Sequence, residues 1–497
     1  MTRALLSLSL GLLAVRILSA ALVVIQPGFT DAYYYVDVAK RLAHGQGLTA
    51  DFVWNFLEAP GLAPLPVASH RFWMPLATAV QAGGIVLLEP MLGAFRSAQA
   101  AVIALAAFIP AAAYAAARSV GASPRAALFG AALAGIGGGA FAPAWVALDS
   151  FVIAALLGTC FFLAFAVAAD GDARFGAIAG ALVGLLFLAR AEGAVFGIAL
   201  LVLAARPRSR SAGLLGSAIA LAIGVAWLAR GVALGGSPDL LSRTVFLVRY
   251  EDFFALMPSG TADLGTIVGE RLNALWSDLL VAAFSLLLLL VFPLALGIRA
   301  AWLRPEVRAF AALALLLYVV EGTVWPLHAT RGSYFHSLAA FYPYAMAFTA
   351  LGGERWLARR DLASRRIAVG GTLAAAATLA VTGLVAWDGA FNTPYRARLA
   401  ALDAVPPGTF LAIDAAAWRW IADRPVIVTP ADSAELGACV ANHYHASGIV
   451  LEATHFSAYD ALYRGGTSPL LQTPIERGDI RIYPLKPGIE CAISTRP

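Results

Sequence analysis

The chain has 497 residues, 60% of them hydrophobic and 13% charged, with a mean hydropathy of +0.77. A water-soluble core cannot bury so large an apolar share, which excludes a single globular domain in water and makes lipid the main solvent. The formal net charge of +5 requires no nucleic-acid partner, because the excess follows from where the arginines fall along a membrane protein.

Windows of about 20 mainly apolar residues, the length that crosses the hydrocarbon core, number roughly eleven. In chain order they fall near 4–25, 95–117, 126–145, 149–169, 175–190, 192–205, 211–235, 277–298, 309–326, 336–353 and 367–387. A further apolar helix over 74–90 is expected to lie partly in the membrane, and the pair 175–190 and 192–205 is short for full crossings. The first segment reads as a span rather than a cleaved leader, since its apolar run exceeds the usual signal core, Arg16 interrupts it and no clear A-x-A site follows. Arg16 is expected to pair with another buried polar group. Arg3, Arg118 with Arg125, Arg174, the cluster Arg206/Arg208/Arg210, the group Arg299/Arg304/Arg308 and the run Arg355 to Arg366 all fall on one side of this arrangement. Positive residues near span ends are retained inside, so that side is expected to be cytoplasmic. The other side receives the loops 26–73, 236–276 and 326–335 and everything after Trp387. The expected location is the cell inner (plasma) membrane, multi-pass, with the C-terminal domain extracytoplasmic. Lys40 and Lys486 are the only lysines, a bias of the kind that GC-rich bacterial genomes impose.

The first loop opens with Thr30-Asp31-Ala32-Tyr33-Tyr34-Tyr35-Val36-Asp37 and runs to Gly45-Gln46-Gly47. It predicts a short amphipathic helix at the membrane interface, capped by Thr30 or Asp31 and stopped by the glycines. Asp31 is either that cap or a general base. His70 and Arg71, just before the membrane helix, either touch a substrate phosphate or line the interface. Gly135 and Gly139 form a G-x-x-x-G that is read as close helix packing, and Cys160 is assigned to packing inside a span. Asp149 begins a span as a helix cap or a second acid, with the cap favoured. Arg190 and Glu192 share a turn on the outer side, where charge is costly unless paired or used, so mutual pairing and substrate contact stand equal. Arg331 and His336 lie in an outer loop that is either simply solvated or, with its glycine, histidines and hydroxyls beside aromatics, a phosphate site, the second being favoured.

After Asp388 the long apolar runs give way to short β-type runs alternating with helical stretches, so the expected domains are 1–387, carrying the loop 26–73, and 388–497. Strands are predicted over Thr409 to Ile413, Pro425 to Val428, Gly448 to Leu451 and Ile480 to Tyr483, with helices near 394–404, 414–421, 432–444 and 456–463. Asp414 and Ser433 are the expected N-caps. Cys439 and Cys491 both fall in this domain, where an oxidising compartment permits but does not require a disulfide. His443, His445 and His455 lack the spacing of a zinc site and are read as surface or packing residues. The fold class is therefore mainly α, a polytopic helical membrane domain followed by a small α/β domain.

No cytoplasmic connection carries a phosphate cradle such as G-x-x-x-x-G-K-[ST], so a soluble nucleotide donor has no site there. The polar clusters gather on the outer side, where activated substrates are mostly lipid-linked. The stretch from Asp31 to Gly47, then His70-Arg71-Phe72-Trp73-Met74-Pro75-Leu76, Leu148-Asp149-Ser150 and Leu188-Ala189-Arg190-Ala191-Glu192-Gly193, with a soluble C-terminal domain, resembles C-type (GT-C) glycosyltransferases along nearly the whole chain. The layout is similar to that of protein O-mannosyltransferases and aminoarabinose transferases. The resemblance implies a polyprenyl-phosphate sugar donor, a protein, lipid or glycan acceptor, inversion at the anomeric carbon and Asp31 as the matching catalytic aspartate. Asp31-Ala32 stands where some relatives carry an Asp-Glu pair, which leaves a divalent metal open and no cofactor assigned. His70, Arg71, Asp149, Arg190, Glu192, Arg331 and His336 are the candidate substrate-binding residues. A transporter or flippase of a lipid-linked glycan is the competing expectation; it usually places polar groups at the bilayer midplane in repeated halves, a pattern not read in this sequence.

Overall fold

The structure is a computed structural model that describes residues 2–56, 59, 61–234, 249–257, 262–286, 288–488 and 491. Of the expected loop 236–276, residues 236–248 and 258–261 lie outside the described residues. Residue contacts divide the chain into two compact units, one made of Met1–Ile25, Trp73–Ala233 and Gly269–Trp387, the other of Gln26–Phe72, Leu234–Val268 and Asp388–Pro497. The sequence-based boundary at 387/388 differs from this division, because the first loop packs with the C-terminal residues rather than with the helices it connects.

The first unit is helical and belongs to a multi-pass membrane protein. Among the described residues six helices are long and apolar enough to cross a bilayer, or seven if the bent pair Pro124–Ile136 and Gly138–Ala144 is one span. Large apolar side chains such as Leu18, Leu22, Leu87 and Met91 stand exposed on these helices, as lipid contact requires. Several expected spans are broken. The run 126–145 bends by 64° at Gly137, whose φ of 78° ends one helix in the left-handed region and starts the next. The run 277–298 is split between Leu264–Ser285 and Val291–Ala300, with Leu288 at φ 54° between them. The run 336–353 becomes Ser333–Leu338 and Tyr342–Leu357. Helix Leu76–Ala106 contains Pro90 and a non-helical Gly93, so the expected separation of 74–90 from the following span appears as a kink. Ala173–Ala189 and Ala191–Ala204 are short apolar helices, as expected.

Small residues let these helices approach. A Cβ added at Gly180 would collide with the backbone of Gly216, one at Gly158 with Ala340, and one at Gly297 with Phe348. The G-x-x-x-G serves the same end, since Gly135 abuts Leu12 and Pro110 while Gly139 abuts Leu379 and Phe284. Arg16, 4% exposed, donates from Nη1 to Ala106 O at 2.7 Å and from Nη2 to Gly135 O at 2.9 Å. It thus satisfies carbonyls at two helix C-termini, where a cation also complements the helix dipole, rather than pairing with a side chain. The exit of the first span is held similarly: Arg96 donates to Ala20 O, and Gln99 Nε2 donates to Val24 O at 3.0 Å. Cys160 sits exposed on helix Phe151–Ala169, which replaces the expected packing role.

The second unit is a mixed sheet with helices. Eight short strands are described: β1 Thr49–Ala50, β2 Phe52–Val53, β3 Val67–Ala68, β4 Phe410–Ala412, β5 Val426–Ile427, β6 Gly448–Leu451, β7 Ile475–Arg477 and β8 Ile480–Pro484. The six-stranded sheet runs β2-β5-β4-β6-β8-β7, and β1 pairs with β3. Four strands match the expected ones within a residue or two; β7 and the β2 strand from the first loop were not anticipated. β2 pairs parallel with β5, Phe52 opposite Val426. Asp414 and Ser433 cap their helices as expected, accepting from Ala417 N and Leu436 N. The first-loop helix Thr30–Ala43 begins at N-cap Phe29, whose side chain makes no capping bond, so Thr30 and Asp31 are first-turn residues and neither is the cap. Thr30 Oγ1 instead donates to Asp414 Oδ1 at 3.1 Å. Asp414 is also held by buried Arg398, whose guanidinium reaches Asp414 Oδ2 at 3.1 Å and Glu452 Oε2 at 2.9 Å. This buried network fastens the loop helix to the sheet domain.

A second charged cluster lies on the same helix. Asp37 is 2% exposed, with Arg419 Nε 3.9 Å from its Oδ1 and Oδ2 without a hydrogen-bond partner among the described residues. Burial pushes its carboxyl up to about 6, against the pull of Arg419 and Arg41. An acid whose pKa is higher folded than unfolded binds more protons in the native state, so its contribution to stability falls as pH rises from about 4 through 6. Asp37→Asn is therefore expected to raise the melting temperature at pH 8, by the equivalent of about 3 kcal/mol at most, and to change it little at pH 4. Thermal unfolding in detergent across pH 4–8 checks this; a gain of equal size at both ends would contradict it.

Cys439 and Cys491 are disulfide-bonded, with Cα atoms 5.4 Å apart and a sequence separation of 52. Closing a loop of that length restricts the unfolded chain by about 4 kcal/mol in the entropic account. Cys439→Ser is expected to lower the unfolding midpoint correspondingly, and dithiothreitol to have that effect on the native protein only. His443 and His455 are occupied locally, His455 Nδ1 with Glu452 O at 2.7 Å and Nε2 with Asp460 Oδ1 at 3.1 Å, as packing histidines would be.

Candidate active site

The charged groups of the membrane unit converge on segment 326–338, which follows the span Pro305–Val324. Two short helices, Pro326–Thr330 and Ser333–Leu338, are joined through Gly332 at φ 108°. The turn aims His336 inward, 8% exposed, with its ring stacked on Phe151 at 4.2 Å. His336 Nε2 lies 3.1 Å from Asp149 Oδ2, and Nδ1 lies 2.7 Å from Gly332 O. Both ring nitrogens are thus held by oxygens, one of a side chain and one of the backbone. Asp149 lies two residues before the span Phe151–Ala169, and its Oδ1 accepts from Ser150 Oγ at 2.9 Å and from Ser150 N. Burial tends to raise its carboxyl, but His336 and Arg190 hold it below the usual carboxylate range. The favoured sequence reading of Asp149 as a helix cap is corrected: Ser150 holds the cap position, and Asp149 is the partner of His336.

Arg190 and Glu192 meet where Ala173–Ala189 gives way to the 3-10 turn Ala191–Phe196. Arg190 Nη2 donates to Glu192 Oε1 at 3.0 Å and to Ser333 Oγ at 3.2 Å, while Ser333 Oγ lies 2.6 Å from the same Glu192 oxygen. A buried charge is costly unless paired, and this pairing offsets that cost. Ser337 Oγ donates to Glu321 Oε1 at 3.0 Å, and Glu321 is 1% exposed. Beside them a cavity of ≈ 20 Å³, room for one water, is lined in part by Arg190, Glu192 and Ser337. Burial lowers the His328 imidazole to about 4, so it is neutral at pH 7.

Of the residues singled out from sequence, the structure brings together Asp149 with His336, and Arg190 with Glu192. Arg331 caps the helix Pro326–Thr330 at an exposed position. Asp31 and Arg71 are half-buried and His70 is 2% exposed, all in the second unit. His70 N donates to Tyr34 Oη at 2.6 Å, and its ring stacks on Tyr35 and meets Tyr34 edge-on, an aromatic setting that favours packing over phosphate contact. Sequence reasoning passed over Glu321 and Asp278. Both are buried in the membrane unit, and neither Asp278 oxygen has a hydrogen-bond partner among the described residues. The signal was present, since each is an acid inside an apolar run, at Val319-Val320-Glu321-Gly322 and Trp276-Ser277-Asp278-Leu279.

A carboxylate and an imidazole at 3.1 Å offer two ligand atoms of a kind that divalent metals take. No protein-family model matches the chain, and no curated protein matches it in sequence. Solved structures do match. ArnT from Cupriavidus metallidurans bound to undecaprenyl phosphate superposes with a TM-score of 0.62 at 14% identity, covering 97% of this chain and 98% of that one. The same protein in its apo state gives 0.55 at 14% identity, over 92% and 94%. The oligosaccharyltransferase AglB from Archaeoglobus fulgidus, in complex with an inhibitory peptide and a dolichol-phosphate, gives 0.54 at 14% identity, over 91% of this chain and 69% of that one. Across both compact units, therefore, the chain has the fold of the GT-C glycosyltransferases.

Proposed function

We propose that the protein is an integral membrane glycosyltransferase that moves a sugar from a polyprenyl-phosphate donor to an acceptor hydroxyl on the extracytoplasmic side, with inversion. The observation that carries this reading is the end-to-end likeness to ArnT, a fold whose solved example holds undecaprenyl phosphate. The buried Asp149–His336 and Arg190–Glu192 pairs support it, because buried ionisable groups gather at sites of use. The arginine distribution supports the orientation, in the cell inner membrane of a bacterial envelope.

In the proposed reaction Asp31 takes the proton of the acceptor hydroxyl as its oxygen attacks the anomeric carbon from the face opposite the phosphate. The bond from that carbon to the phosphate oxygen breaks, and its electron pair leaves on polyprenyl phosphate. The departing charge needs cations and hydrogen-bond donors, a part assigned to Arg190, Arg331 and His336, with Asp149 holding the imidazole in place. Arg71 belongs with the donor phosphate in the same reading.

The test uses the full chain in proteoliposomes with a panel of undecaprenyl-phosphate sugars (glucosyl, mannosyl, arabinosyl and aminoarabinosyl) and an envelope extract as acceptor source. Release of undecaprenyl phosphate together with a new glycoside is the expected result. Movement of the lipid-linked sugar across the bilayer with its phosphodiester intact would instead identify a flippase.

A further inference from the structure

The helices that present His336 have five and six residues, too few for their own hydrogen bonds to fix an orientation. Two serines on the second helix, four positions apart and so on one face, are held by carboxylates from elsewhere in the membrane unit. Ser333 is bound by Glu192 at 2.6 Å and Ser337 by Glu321 at 3.0 Å. His336 lies between the two anchored positions, with its ring against Asp149 and Phe151. Glu192 also serves Arg190, whereas Glu321 makes its hydrogen bond to Ser337 from within a membrane span, where an acid carries a penalty with no gain to the span itself. Alanine or leucine at position 321 would suit the bilayer better.

We infer that Glu321 is a positioning residue: by anchoring Ser337 it sets the angle at which His336 meets Asp149. The inference rests on the reading above that the Asp149–His336 pair belongs to the active site. It requires an acceptor oxygen at position 321 and a hydroxyl at 337, and it does not require a charge.

Steady-state kinetics of the full chain in nanodiscs, with the undecaprenyl-phosphate sugar that the native protein transfers, test it. Glu321→Ala is expected to lower kcat ten- to hundredfold, as an ångström-scale misplacement does, with donor KM within about twofold of native. Glu321→Gln keeps the oxygen that accepts from Ser337 and is expected to restore most of kcat. Ser337→Ala should reproduce the Glu321→Ala defect and Ser337→Thr should not. A glutamine variant as impaired as the alanine one, or a Ser337→Ala protein with native kcat, would overturn the inference. His336→Ala and Asp149→Asn run alongside: native turnover in both overturns the reading of the pair and the inference with it. Inactive pair variants with normal Glu321→Ala and Ser337→Ala turnover overturn the positioning role alone.

Discussion

Asp31→Asn is expected to lower glycosyl transfer by about 10²–10⁴-fold, the usual contribution of a positioned general base, while leaving expression and unfolding temperature near native. The amide has nearly the shape of the carboxylate but cannot take the acceptor proton. Asp31 is half-buried in the first turn of helix Thr30–Ala43, where a negative charge is favoured by the helix dipole and its loss should be worth well under about 1 kcal/mol. The structural explanation of this residue as a cap is removed, since Phe29 occupies the N-cap position. An activity loss unaccompanied by a stability loss therefore separates chemistry from folding. Retained turnover in a well-folded Asp31→Asn protein would reject the assignment of the base.

The second large effect is expected at the buried pair. His336→Ala removes the imidazole from the proposed phosphate pocket and leaves Asp149 buried without it, and Asp149→Asn leaves the ring without its carboxylate. Each is expected to reduce kcat/KM by about 10²-fold, and the double variant by little more than either single one, because residues acting as a unit are non-additive. A double variant whose loss is the product of the two single losses would show that the side chains act separately. Arg190→Lys offers a further distinction: lysine keeps the charge but not the fork that spans Glu192 and Ser333.

The membrane class, the C-terminal α/β layer and two of its helix caps are written in local sequence: apolar runs, alternating β-type runs and single residues placed before helices. What was not legible depends on partners far away in the chain. Asp149 looks like a cap because the residues beside it open a helix, and its true partner His336 lies 187 positions on. β2 contributes only Phe52 and Val53 to the sheet, too few for any alternation to show, and its neighbour is Val426. Hydropathy windows measure how apolar a run is and not whether its helix is continuous, so breaks at Gly137 and near Leu288 divided runs that appeared to be single spans. Glu321 and Asp278 are legible in the sequence, since an acid within an apolar run already poses the question of function. Two cysteines in a sequence state only an opportunity for a bond, and the Cα separation of 5.4 Å between Cys439 and Cys491 decides it.

The most direct test of the central claim follows both products of a single turnover. Native protein reconstituted with a radiolabelled undecaprenyl-phosphate sugar and an acceptor extract is predicted to yield one free undecaprenyl phosphate for each glycoside formed, with the anomeric configuration inverted. Label that crosses the bilayer still attached to its lipid, with neither product appearing for any sugar of the panel, would contradict the account.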